Sequence, residues 1–190
     1  MGIRRQFFAA AFAAAAVTVA GVAASGTPAQ AEQQVERPFR YVSEGTITNE
    51  DPLQGECDLD TSGEPVLLCD QEFAGIDETA THMGRTTSTA TGVLTLYILR
   101  PFCTTPEGNE FGTQFESNTE RTIVAANGDE LFFSTTVTGC GDGFGLAEPA
   151  GTYTITGGTG RFAEATGGGE ISSSVLGGSI DTIWTGTITY

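Results

Sequence analysis

His82 is the only imidazole in a chain of 190 residues that has eight arginines and no lysine, so it alone ordinarily exchanges a proton near neutral pH. On a strand it would share a face with Gly84 and Thr86, with Met83 and Arg85 on the other. Facing an interior, His82 would serve as a catalytic proton carrier; hydrogen-bonded into the frame, it would be structural. Tyr41, Phe133, Tyr153 and Trp184 fall at inward-facing positions and are the candidate ligand-binding residues. Apolar rings with a few polar tips are what line small-molecule sites, although the same side chains could close-pack as a solid core.

Other chemistry is argued down by spacing. Gly157-Gly158-Thr159-Gly160 lacks the Lys-Ser/Thr pair of a phosphate loop and reads instead as a bulge or tight bend, with Phe162 plugging one end of the fold. Asp58-Leu59-Asp60-Thr61-Ser62-Gly63 imitates the start of a calcium loop, but Cys69 stands where the bidentate Glu is needed. No Gly-x-Ser-x-Gly elbow occurs, and no Cys-x-x-Cys pair lies near His82. Neither a metal nor a cofactor is expected.

Cys57, Cys69, Cys103 and Cys140 are an even set following an export-type leader and are read as two disulfides. Three pairings exist; the turn-rich segment between Cys57 and Cys69 favours 57–69 with 103–140. Residues 1–31 carry Arg4 and Arg5, an apolar run from Phe7 to Val17 and the small-residue site Ala29-Gln30-Ala31, the three parts of a secretory signal. The Arg4-Arg5-Gln6-Phe7-Phe8 start is similar to a twin-arginine signal, so both general and twin-arginine export stand open. Residues 32–190 are expected to form one domain, secreted and free of the membrane once the leader is removed.

The chain carries a net charge of −16; losing Arg4 and Arg5 would leave six arginines against 24 acidic side chains, a net −18. That balance argues against nucleic-acid partners, whose phosphates need cations, and against anionic lipid.

The elements that must position these residues read as strands throughout. Residues 32–38 are polar and read as a leader to the fold. Strands are expected near 39–48, over 72–91 with a break at Ile76-Asp77-Glu78, and over 93–99, 120–126, 130–138, 152–157, 165–176 and 179–190. Residues 49–70 and 100–118 read as loops, and Asn127-Gly128-Asp129 as a hairpin turn. No segment after residue 31 keeps a helical apolar period. Eight strands with mostly short turns predict an all-β antiparallel barrel or sandwich, and a closed eight-stranded barrel would leave room for side chains or one small ligand.

Residues 153–167, Tyr-Thr-Ile-Thr-Gly-Gly-Thr-Gly-Arg-Phe-Ala-Glu-Ala-Thr-Gly, resemble the signature shared by dirigent proteins and bacterial proteins with an allene oxide cyclase-like barrel. The hairpin Ala125–Leu131 and the segment His82–Arg85 are similar to bacterial members in the same order. The resemblance implies a calycin-like eight-stranded barrel that binds an apolar small molecule. It also implies a cofactor-free cyclase or isomerase that confines a reactive intermediate. A lipocalin-like carrier without catalysis is the first alternative. Trimeric relatives leave a homo-oligomer open. An extracellular structural or interaction protein, working through its acidic surface or the 100–118 loop, is the remaining alternative.

Overall fold

A strand buried on one side shows its inward residues at every second position, and that alternation runs through this chain. A computed structural model describes residues 34–47, 57–105, 108–141, 146–177 and 179–190; the expected leader, residues 1–31, lies outside them. Ten strands follow in order: β1 Glu36–Ile47, β2 Cys57–Asp60, β3 Val66–Ala80, β4 Gly84–Leu96, β5 Thr113–Ala125, β6 Glu130–Gly141, β7 Leu146–Ala147, β8 Ala150–Gly158, β9 Thr166–Leu176 and β10 Ser179–Thr189. All pairings are antiparallel. The described residues contain no α-helix, only a one-turn 3-10 segment at Gly160–Phe162.

The pairings close on themselves. β1 pairs β10, then β9, β8, β6, β5, β4 and β3 follow, and β3 returns to β1, giving a ring of eight strands within one ten-stranded sheet. β2 extends the sheet beyond β3, and β7 bridges β6 and β9. Closure leaves the eight strands without a free hydrogen-bonding edge along most of their length.

Several boundaries differ from the sequence reading. Glu36–Pro38, read as a polar leader, already pair with Ile188 and its neighbours on β10. The loop read over 49–70 contains the β2–β3 hairpin, in which Cys57 and Cys69 face each other; its residues 49–56 lie outside the described ones. The single stretch read over 72–91 is two strands. The expected break near residue 76 is a bulge between Gly75 and Glu78 within β3, and the chain turns at Thr81–Met83 instead. His82 occupies that turn with φ of 68°, so its expected place on a strand is corrected: the left-handed conformation cannot continue a β ladder. Both disulfides have the favoured pairing, Cys57–Cys69 and Cys103–Cys140.

The two ends of the ring differ. At the end where β5 runs into β6 through Asn127-Gly128, the interior is apolar and sealed: Ile123, Leu131, Phe162 and Ile188 are fully buried. Phe162 reaches that position because Gly157, at φ 141° opposite a register shift at Phe132/Phe133, bends β8 into the 3-10 turn. Its ring packs edge-on to Tyr190, with centroids 4.9 Å apart. Phe162 closes this end, as the sequence reading expected.

Candidate functional site

Above that seal the inward residues become aromatic and then charged. Trp184 on β10 meets Tyr41, Phe133 and Tyr153, with ring centroids 5.1, 5.2 and 4.9 Å away. All four expected ligand-binding residues therefore come together as one buried aromatic floor. His82 does not join them. It is exposed at the sealed end, its Nε2 3.0 Å from the Pro38 carbonyl oxygen and its ring 5.8 Å from that of Tyr190.

The charged groups on this floor are Glu78 and Arg121. Glu78 is 0% exposed, and its Oε1 accepts three hydrogen bonds: from Tyr41 Oη at 2.5 Å, Ser88 Oγ at 2.6 Å and Ser43 Oγ at 3.0 Å. Each hydroxyl has a single proton to give, so the carboxylate acts here purely as an acceptor. Arg121 Nη1 donates to Ser88 Oγ at 2.8 Å and Tyr41 Oη at 3.1 Å, and stands 3.9 Å from Glu78 Oε1. The guanidinium thus reaches the carboxylate chiefly through two hydroxyls, which polarises both. Its carbon also lies 5.5 Å from the centroid of the Trp184 ring.

Local backbone geometry explains the arrangement. Along β3 the alternation through Gln71, Phe73 and Gly75 would send Glu78 to the outer face; the bulge after Gly75 inserts a residue and turns it inward. Glycine is required beside it, because a Cβ at Gly75 would stand 1.4 Å from Glu78 Oε1. Arg121 follows the plain β5 alternation, in phase with Thr119, Ile123 and Ala125. Burial, the larger effect, raises the Tyr41 phenol above its ordinary value, and Arg121 opposes that shift without cancelling it. Burial also pushes Tyr153 up to about 12. Both phenols are proton donors at neutral pH.

Four polar atoms of this floor are buried without a partner: Glu78 Oε2, Arg121 Nε, Tyr153 Oη and Trp184 Nε1. Buried polar groups are nearly always paired, so each of these exceptions calls for a partner such as a water or a ligand group. Towards the opposite end the inward positions mix the polar Gln71, Ser117, Thr119, Thr135, Ser173 and Thr182 with the apolar Leu94, Val137, Ile171 and Val175. Solvent does reach inside: Arg121 is 13% exposed and Gln71, Thr119 and Thr182 each 8%, although all point inward.

The described residues also form an open depression of about 320 Å³ lined by Arg85–Thr87 and Val124–Ala126. None of its lining residues belongs to the Glu78–Arg121 cluster. No group of three or more His, Cys, Asp or Glu side chains able to hold a metal occurs among the described residues.

Comparison of the chain with protein-family models, with curated proteins and with solved structures finds no match. Function therefore has to be read from the site. Its buried centre is a carboxyl group with three hydrogen bonds on one oxygen and none on the other, set beside the Arg121 guanidinium and the Tyr41 phenol.

Proposed function

We propose that the protein is a secreted, calycin-like eight-stranded β-barrel that binds a small molecule in its interior and isomerises or cyclises it without a cofactor. The apolar face of the ligand rests on Trp184, Phe133 and Tyr153, and its reacting oxygen meets the donors of Arg121, Tyr153 and Trp184. Glu78 Oε2 takes a proton from ligand carbon and returns it to another position. The floor holds one conformer in a site largely shielded from water, which supplies orientation and strengthens these contacts. Export is supported by the paired cysteines and the Arg4-Arg5 leader. No helix among the described residues is long and apolar enough to cross a membrane.

The observation that carries this reading is the buried Glu78 carboxylate with three donors on Oε1 and none on Oε2. The test is native mass spectrometry and metabolite profiling of purified protein incubated with extract of the producing cells. Wild type should retain a ligand and alter a metabolite, and Glu78→Gln should retain the ligand but leave the metabolite unchanged. Retention by both with no conversion by wild type would establish a carrier instead. Retention by neither, with no conversion, would overturn the reading.

A further inference from the structure

The interior between the floor and the solvent-reached end makes a specific demand on the body of the ligand. Ser117 Oγ donates to Gln71 Oε1 at 2.8 Å, Thr119 and Thr135 hydroxyls meet at 2.7 Å, and Ser173 and Thr182 hydroxyls at 3.0 Å. These three pairs form a collar of hydroxyls inside the ring. The Thr135 hydroxyl also donates to the Thr119 carbonyl at 3.4 Å, so that pair keeps spare lone pairs, while the Ser173–Thr182 pair keeps a second proton as well for another molecule. A hydrocarbon pressed against the collar would strip water from these groups and return nothing.

The floor is equally selective. Its unpartnered atoms are three donors, Arg121 Nε, Tyr153 Oη and Trp184 Nε1, and one acceptor, Glu78 Oε2. A carbonyl oxygen has two lone pairs for such donors, and an acidic C–H or O–H on the next carbon suits the lone acceptor.

We infer that the substrate is a polyhydroxylated α-hydroxycarbonyl compound, of the ketose or aldose type, bound carbonyl-first through the collar. This rests on the proposed interior site and names its substrate class. Glu78 Oε2 removes the proton from the carbon bearing the hydroxyl. That C–H electron pair forms a C=C bond as the carbonyl π pair moves onto oxygen, where Arg121, Tyr153 and Trp184 hold the charge. A proton passes from the hydroxyl oxygen to the former carbonyl oxygen, and Glu78 returns its proton to the former carbonyl carbon. The product is the positional isomer, with no net oxidation and no co-reactant.

Trp184 is the only tryptophan, so its emission reports on the floor without a label. The full protein would be titrated with three probe sets: four- to six-carbon ketoses and aldoses, the matching alditols, and eight- to twelve-carbon alcohols. Deuterium entry at the α carbon of each sugar in D2O would be followed by NMR. The carbonyl sugars should bind about tenfold tighter than their alditols, and at least one should exchange deuterium in wild type and not in Glu78→Gln. Thr119→Val/Thr135→Val replaces both members of a hydroxyl pair by groups of the same shape, a nearly neutral change for folding. It should weaken sugar binding about tenfold and improve alcohol binding. Alcohols binding wild type more tightly than sugars, with the effect lost in Arg121→Met, would overturn the substrate class and leave the interior site standing. No response to any probe, with no exchange, would overturn both.

Discussion

Replacing Arg121 by methionine removes the guanidinium beside a fully buried carboxylate, and the structure sets the size of the effect. Two unit charges at the observed 3.9 Å attract by about 4 kcal/mol at an effective dielectric of about 20. Partial access of water to Arg121, 13% exposed, trims this contribution. The substitution also removes the bonds from Nη1 to Ser88 and Tyr41, about 1 kcal/mol each net. Together these give a loss of about 3–5 kcal/mol, the range found when one partner of a buried ion pair is deleted. For a domain of this size that is a fall in Tm of roughly 6–20 °C. Urea unfolding with disulfides intact, followed by Trp184 emission, measures the loss. Glu78→Gln/Arg121→Met should recover at least about 2 kcal/mol of it, since the orphaned charge is then gone. A cost below about 1 kcal/mol for Arg121→Met, or strict additivity in the double variant, would refute the electrostatic account.

Tyr153, held at about 12 by burial, keeps its proton over a pH range in which the unfolded chain has lost it. Ionising it inside the fold is penalised, so folding stability is unaffected below pH ~10 and falls as pH rises through ~12; Tyr153→Phe should flatten that alkaline slope in a urea-midpoint series. Gly75→Ala places a methyl group on Glu78 Oε1 and should cost about 1–3 kcal/mol while abolishing ligand-induced changes in Trp184 emission; a stable variant with normal binding would disprove the role given to Gly75. Cys103 and Cys140 are 37 residues apart and Cys57 and Cys69 are 12 apart, so chain entropy ranks the losses on Cys→Ser pair replacement at about 4 and about 3 kcal/mol. Calorimetry showing the reverse order would mean that native-state contacts, not loop closure, dominate.

Most of the strand content was legible because two-residue alternation and Gly turns are local signals. Tyr41, Phe133, Tyr153 and Trp184 were found this way, and the structure brings them into contact. Glu78 was not legible. Alternation counted from Phe73 places it outside, and only the bulge after Gly75, set by pairing with β4, turns it inward. Arg121 does carry a sequence signal: it is in phase with Ile123 and Ala125 on a strand whose inner face is otherwise uncharged. His82 misled because the 72–91 stretch is rich in strand-forming threonine, while the turn at Thr81–Met83 is fixed by long-range contacts. Thr81 N donates to the Arg40 carbonyl, and His82 Nε2 lies beside that of Pro38.

The collar of hydroxyls was hidden for a related reason. Thr119–Thr135 and Ser173–Thr182 are cross-strand partners within the β5–β6 and β9–β10 hairpins, and closure of the ring turns the face they share into an interior one. Ring closure also explains why the floor is paired so tightly: Tyr41, Glu78, Ser88 and Arg121 come from β1, β3, β4 and β5, consecutive members of the ring.

The central claim is that a small molecule sits inside the ring against Glu78 and Arg121. A crystal structure of the protein purified after incubation with extract of the producing cells tests it most directly. The account predicts ligand density between the aromatic floor and the Thr119–Thr135 pair, with an oxygen within hydrogen-bond distance of Arg121 Nε or Glu78 Oε2. An interior filled by the protein's own side chains, with any ligand bound on the outer surface, would contradict it.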